Sequence, residues 1–318
     1  MKQIIKRGSF LTLMFMLLGC LSLYAADNDL TTKQITIKLE KAGTLPDRIV
    51  SSKRYKITNL KIIGEINGTD LDMIREMAGR DYRGNSTDGK LSVLDLSEAK
   101  IVKGGDYYYQ NKDYNDNNNY YYTSNDVIGS YAFYDCSGLT SLTLPAGITE
   151  IGSSAFAGCS GLTSLTIPAG ITDIGYEAFL DCSGLTSLTL PTGISTGVDY
   201  GPFNGCSGLT SIYVYAEKVP KIGINHILDI NVFEGIDAKK CTLYVPMGTY
   251  SDYWLSGFGD YFENIVEFDA TGIDKTTTST EVEEVTRYSV NGQRLYAPTK
   301  GLNIVKYSDG SVKKVAVQ

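Results

Sequence analysis

The sequence predicts an α/β repeat solenoid. Short coils stack so that their strands form a parallel ladder, between a mixed α/β cap at the N-terminal end and a small antiparallel β domain at the C-terminal end. Three observations carry this. Blocks of 23 residues begin at Cys136 and Cys159 and share seventeen positions, a third begins at Cys182, and a fourth Cys-Ser-Gly-Leu-Thr-Ser opens at Cys206. Self-similarity at this period marks an array whose units cannot bury their apolar side alone. Within each block a period-2 apolar run gives way to turns and one helical-type step. After residue 284 the pattern changes to four alternating runs, two of them flanking Asn291-Gly292, a strong hairpin signal.

The block from Cys136 shows how one coil is built. Leu139, Leu142 and Leu144 are spaced Leu-x-x-Leu-x-Leu, and Ser141 and Thr143 alternate with them, as in a short strand with one buried face. Pro145 lacks an N–H and ends the regular ladder, and Ala146-Gly147 turns the chain. Ile148 and Ile151 return to the core. Ala155, Phe156 and Cys159 then fall on one face of a single helical or 3₁₀ turn. Stacked strands about 4.8 Å apart superpose each residue on its copy. Outward rows of Ser141, Ser164, Ser187 and Ser211, and of Thr143, Thr166 and Thr189, follow. Tyr213 continues the threonine row and Tyr215 stands beyond it.

The remaining segments follow in order. Residues 1–26 read as a secretory leader, with Lys2, Lys6 and Arg7, the apolar run Phe10–Leu18 and small residues at Ala25-Ala26. Cleavage near Ala25 or Ala26 is one reading. Lipidation at Cys20 is the other, because Leu17-Leu18-Gly19-Cys20 resembles a lipobox. Residues 27–90 form the N-terminal cap, with a strand in Ile57–Ile66 and a helix capped by Thr69. The solenoid spans 91–268. Its divergent first coil carries Leu91, Leu94 and Leu96, and its terminal cap is 241–268, where Trp254 is expected to close the last coil.

Residues 103–126 interrupt the first coil as a polar, Tyr- and Asn-rich insertion, expected to be a protruding or mobile loop. Asp113, Asn115 and Asn117 have the spacing that opens a calcium loop. Asn118 and Ser124 stand where the required Gly and Glu belong, so no calcium is expected. Residues 269–284 are a Thr- and Glu-rich linker, and 285–318 the small β domain.

The pattern C-x-x-L-x-x-L-x-L-P…I…IG-x-x-A-F-x-x-C, over Val127 to about Ile236, resembles the short leucine-rich repeats of the Bacteroides surface protein A (BspA-like) type. Two departures stand out. The third coil reads ISTGVDYGPF where the others read ITEIGSSAF, and the fourth spans thirty-five residues from Cys206 to Cys241. The run from Tyr288 to Gln318 is similar to the C-terminal sorting domains of Bacteroidetes type IX secretion. The resemblances imply an exported cell-surface protein, outer-membrane anchored or extracellular, that adheres to other proteins.

Composition narrows the function further. The chain has 36 acidic and 29 basic residues. Loss of Lys2, Lys6 and Arg7 with the leader takes the formal charge from −7 to −10 (−7 minus 3), which opposes nucleic-acid binding. No run after the leader is long enough to span a membrane. Five cysteines remain after the leader, an odd number at one repeat position, and read as small buried hydrophobes rather than disulfides or zinc ligands. His226 is the only histidine, no nucleotide, zincin or nucleophile-elbow motif occurs, and Glu150 and Asp173 read as solvated charge. No enzyme, metal or cofactor is expected.

The expected partners are a host extracellular-matrix or mucosal protein, or another bacterial surface. Glycans are the alternative, with the protein a carbohydrate-binding component of surface nutrient capture. The candidate ligand-binding residues are Ser141, Thr143, Ser164, Thr166, Ser187, Thr189, Tyr213 and Tyr215 on the strand side. Tyr107, Tyr108, Tyr109, Tyr120, Tyr121 and Tyr122 join them from the insertion.

Overall fold

Nine parallel strands form one continuous sheet whose spatial order is the chain order. The strands are Ile35–Leu39, Asn59–Ile66, Val93–Ile101, Ser141–Thr143, Ser164–Thr166, Ser187–Leu190, Ser211–Val214, Thr242–Pro246 and Asn264–Phe268. The computed structural model describes residues 30–113, 115–193, 198–199, 201–216, 218–220, 222–223, 233–270, 284–289, 294–295, 300–307 and 312–317. The leader with Cys20, most of the 269–284 linker, His226 and the Asn291-Gly292 turn lie outside them.

The repeats stack in strict register: Ser141, Leu142 and Thr143 pair with Ser164, Leu165 and Thr166, and those with Ser187, Leu188 and Thr189. Leucine-rich repeats therefore build a parallel ladder. A second, three-stranded ladder on the far side pairs Val127–Ile128, Glu150–Ile151 and Asp173–Ile174. It ends there because the rebuilt third coil pairs Val198–Asp199 with Ile222–Gly223 instead.

Between the two ladders the core is itself periodic. Phe133, Phe156, Phe179, Phe203 and Phe233 form a stacked spine, with successive ring centroids 5.5, 5.2, 5.5 and 6.1 Å apart. Beside it the cysteine at each junction is a buried free thiol. Cys159, Cys182 and Cys206 each donate from Sγ to the carbonyl of the phenylalanine one coil back, at 3.0, 3.1 and 3.2 Å. Each of those carbonyls already accepts the N–H of the cysteine three residues on, so the thiol adds a second hydrogen bond, one that crosses between coils. Threonines do the same on the outside: Thr163, Thr186 and Thr210 donate from Oγ1 to the carbonyls of Thr140, Thr163 and Thr186. From the second Cys-Ser-Gly-Leu on, the glycine is required by close stacking, since a Cβ on Gly161, Gly184 or Gly208 would collide with the carbonyl oxygen of Ser137, Ser160 or Ser183.

Two buried charged residues organise the N-terminal cap, Asp70 within it and Arg75 at its junction with the coils. The helix Gly68–Met77 is capped by Asn67, not Thr69, because Asn67 and Asp70 form a reciprocal capping box. The wholly buried carboxylate of Asp70 also accepts the N–H groups of Gly43 and Leu45. Thr69 is occupied elsewhere, its hydroxyl bonded to Asp106. Arg75, also wholly buried, donates to the carbonyls of Tyr131 and Ala132 and lies 4.9 Å from the Tyr109 ring centroid. It ties helix, insertion and first repeat together.

The insertion is not a loose loop. Gly104–Lys112 and Asn118–Thr123 form an antiparallel hairpin. It buries Tyr108 and Tyr109, adjacent residues beside a register shift, and leaves Tyr120 and Tyr122 exposed on the other strand, which a reading of composition alone does not register. The Asp113 carboxylate accepts the N–H groups of Asn115 and Asn117 at 2.9 Å each, so the residues resembling a calcium loop cap a turn.

At the other end, Trp254 does not close the last coil. Tyr253 does: it is fully buried and its hydroxyl donates to the Ala216 carbonyl at 2.6 Å. Trp254 is 46% exposed and stacks on Tyr250 along the short helix Tyr250–Trp254. A phenol places its polar end on a carbonyl at the core's edge, which an indole at the neighbouring position cannot do from the opposite helix face. The C-terminal strands Arg294–Leu295, Glu284–Ser289, Gly301–Tyr307 and Val312–Val317 form a separate antiparallel sheet in that order.

Candidate functional site

The outward row of the long sheet changes character along its length. At the N-terminal end Lys61 pairs with Asp95 at 3.2 Å and with Glu98 at 2.7 Å. Asp95 is in register with Thr143, and Thr166, Thr189, Tyr213 and Tyr244 follow. The parallel row Ser141, Ser164, Ser187 and Ser211 continues through Thr242 to Asn264. Thr143 and Thr166 are exposed, whereas Thr189, Tyr213 and Tyr215 are half-buried.

The C-terminal sheet causes that burial. It lies over the aromatic end of the row and leaves a cavity of about 460 Å³ between the two sheets. The floor of the cavity carries Thr166, Ser187, Thr189, Ser211, Tyr213 and Tyr244. Its roof carries Tyr288, Ile304, Lys306 and Lys314. Tyr213 and Tyr244 stack with centroids 4.4 Å apart and planes 7° from parallel. Lys314 Nζ stands 3.8 Å from the Tyr215 ring centroid. Phe268 meets both Tyr213 and Tyr215 edge-on and holds them in place.

Burial sets the electrostatics here. It pushes the Tyr213 phenol well above its usual value, the Tyr215 phenol up to about 12, and the Lys314 ammonium down. The phenols are therefore neutral hydrogen-bonding groups at any physiological pH. The lysine is a cation held partly out of water.

The six tyrosines of the hairpin divide between its two faces. Tyr108 and Tyr109 are 1% and 6% exposed. The Tyr108 hydroxyl donates to the Ser130 carbonyl at 2.8 Å. Tyr109 lies against Tyr131 and Tyr134, with Tyr121 beside it. These three hold the hairpin to the turn side of the first coil, and Tyr108 and Tyr109 offer no surface to a ligand. On the outer face Tyr107 contacts Tyr82, Tyr120 and Tyr122 with centroids 5.4, 4.9 and 6.2 Å away. Tyr120 and Tyr122 are the exposed members, at 45% and 55%. The strand side and this tyrosine cluster are two separate surfaces.

Sequence reasoning missed Tyr244, although Thr242-Leu243-Tyr244 repeats the Ser-Leu-Thr phase of the coils. It also missed Lys306, Lys314 and Tyr288, for which the sequence holds no signal, because they reach the site from another sheet. Among the described residues no group of three His, Cys, Asp or Glu side chains could hold a metal ion. No helix there is long and apolar enough to cross a membrane.

One repeat-family match agrees with the coils of this architecture. Residues 105–236 match the BspA type leucine-rich repeat region in six copies. That match begins within the hairpin, ahead of the coils that carry the motif most plainly. No curated protein matches the chain. Among solved structures, a leucine-rich repeat protein from Bacteroides ovatus is similar at 17% identity with a TM-score of 0.27. The similarity covers 47% of this chain and 52% of that one, so the chain spans about half the length of that protein.

Proposed function

We propose that this is an exported, non-catalytic cell-surface protein that holds a partner on the strand side of its leucine-rich-repeat solenoid. The partner class is a host extracellular-matrix or mucosal protein, or the surface of another bacterium. One observation carries the reading. A rigid row of outward hydroxyls, spaced by the strand ladder, runs without interruption into a tyrosine-lined cleft. A long polar face of this kind suits a large ligand and supplies modest energy per contact, so many copies on a cell act by avidity. The repeat-family match supports a protein-binding surface. Export rests on the leader-like residues 1–26, with lipidation at Cys20 as the other processing route. Residues 285–318 would serve as the sorting domain. The second reading, carbohydrate capture, is favoured by the aromatic and hydroxyl lining of the cleft.

The test is saturable binding of the mature chain to immobilised fibronectin, fibrinogen, collagen and mucin. Thr143→Glu with Thr166→Glu places two charges on the exposed part of the row and is expected to weaken binding at least tenfold. Tyr120→Ala with Tyr122→Ala probes the other surface. Absence of binding to all four, or binding insensitive to the Thr143 and Thr166 changes, would overturn the strand-side reading. Deleting the whole hairpin is a poor substitute, because Tyr108 and Tyr109 belong to the core.

A further inference from the structure

The charges on the cleft are at odds with those of the chain. Acidic residues outnumber basic ones overall, yet the two charged side chains lining the cavity, Lys306 and Lys314, are both cationic. Neither forms an ion pair among the described residues. Lys314 is half-withdrawn from water, and burial without an anion lowers its proton affinity. An unpaired, partly desolvated ammonium gains most from an incoming anion.

The remaining lining narrows the ligand. Ile304 is its one aliphatic side chain, and the rest of its apolar surface is aromatic, from Tyr213, Tyr215, Tyr244 and Tyr288, which suits a ring face bearing hydroxyls better than an alkyl chain. The hydroxyls of Thr166, Ser187, Thr189 and Ser211 form no hydrogen bond among the described residues, unlike those of Thr186 and Thr210, which are spent on the ladder. Free hydroxyls and neutral phenols both donate and accept, as sugar hydroxyls do. Tyr213 and Tyr244 add aromatic area for a ring face.

We infer that this cleft binds an acidic saccharide, a short chain whose sugar rings lie along the hydroxyl row and Tyr213 while a uronic-acid carboxylate meets Lys314 and Lys306. This deepens the reading of the strand side as the binding face and rests on it. The ligand commits the terminal sheet to a role in recognition, since both cations come from it. The floor from Thr166 to Tyr244 covers three strand steps, roughly 14 Å at about 4.8 Å each, which accommodates an oligosaccharide rather than a single sugar.

The experiment is calorimetric titration of the mature full chain with trigalacturonate, the neutral maltotriose and triaspartate. Trigalacturonate is expected to saturate one site at least tenfold more tightly than either of the others. Lys314→Gln should cost about tenfold for trigalacturonate and leave maltotriose unchanged, and Lys314→Arg should restore most of the loss. Tyr213→Ala should weaken both sugars, with an unchanged circular dichroism spectrum and melting temperature confirming the fold. Equal binding of the two sugars, binding of triaspartate as tight as trigalacturonate, or indifference to Lys314→Gln would each overturn the inference. If the chain still adheres to an immobilised protein in a Thr166-dependent way while no saccharide binds, this inference alone fails. If it binds neither, both readings fail.

Discussion

Replacing Phe156 by alanine tests the spine that organises the solenoid. The ring is wholly buried and stacked between Phe133 at 5.5 Å and Phe179 at 5.2 Å. Truncation to Cβ removes about 120 Å² of apolar burial, about 3 kcal/mol at 25 cal/mol per Å². Losing two ring contacts and leaving a cavity that neighbouring coils cannot collapse into brings the cost to about 4 kcal/mol. Stability in a stacked array is carried by nearest-neighbour interfaces, so the damage should appear first in the coils on either side. Urea denaturation gives the total, and amide hydrogen exchange locates it. Protection should fall in the strands Ser141–Thr143 to Ser187–Leu190 before it falls in the N-terminal cap. A double-mutant cycle with Phe179→Leu should give a coupling of roughly 0.5–1.5 kcal/mol. A cost below about 1.5 kcal/mol, or zero coupling, would refute the spine as a source of stability.

Other predictions follow from single contacts. Asp72 is held up to about 6, against 3.8 ordinarily, by burial and then by the nearby Glu76 carboxylate. Its folded form therefore binds the proton more tightly, and stability falls as pH rises through roughly 4 to 6. Asp72→Asn should stabilise the chain by about 1–2 kcal/mol at pH 7, discounted for partial exposure, and leave it unchanged at pH 3; equal melting temperatures at pH 7 would rule this out. The five cysteines are buried, and burial pushes the Cys241 thiol up to about 12. The mature chain cleaved at Ala25 or Ala26 should show no reaction with a thiol reagent at pH 8 until it is denatured, when five thiols titrate. Tyr108→Phe strips the hydrogen bond from the Ser130 carbonyl and should cost about 1–2 kcal/mol, whereas Tyr122→Ala on the open face should cost under 0.5 kcal/mol. Arg75→Met removes the side-chain donor from the Ala132 carbonyl and leaves the Tyr131 carbonyl only the Tyr134 N–H, and should cost about 3 kcal/mol, read as lost protection in both helix and hairpin.

The hairpin shows why a recognition surface drawn from composition needs the fold to prune it. Tyr107, Tyr108 and Tyr109 are adjacent and chemically alike, yet one belongs to an outer cluster and two to the core. The pleat sets the division along Tyr120–Tyr122, whose successive side chains go to opposite faces, whereas a register shift between Gly104 and Tyr109 breaks the alternation on the other strand and buries Tyr108 and Tyr109 together. A tyrosine-rich segment read without its strand phase looks uniformly available. With the phase known, Tyr120 and Tyr122 are the exposed pair.

The repeats alone determined the parallel ladder, its register and the identity of the core. A coil repeated nearly verbatim must superpose on itself, so Leu142 meets Leu165 and Cys136, Cys159 and Cys182 line up without further information. The outward rows followed for the same reason, up to Tyr213. What periodicity cannot express was decided in three dimensions. Asn67 took the cap from Thr69 because Asp70 could answer it, and Tyr253 took the closing position from Trp254 because a carbonyl of Ala216 lay within reach. The lysines of the cleft, Lys306 and Lys314, lie more than sixty positions beyond Tyr244, the last floor residue they face. A local pattern fixes what each coil presents, but which distant segment comes to lie against it depends on long-range packing that leaves no mark on either stretch of sequence alone.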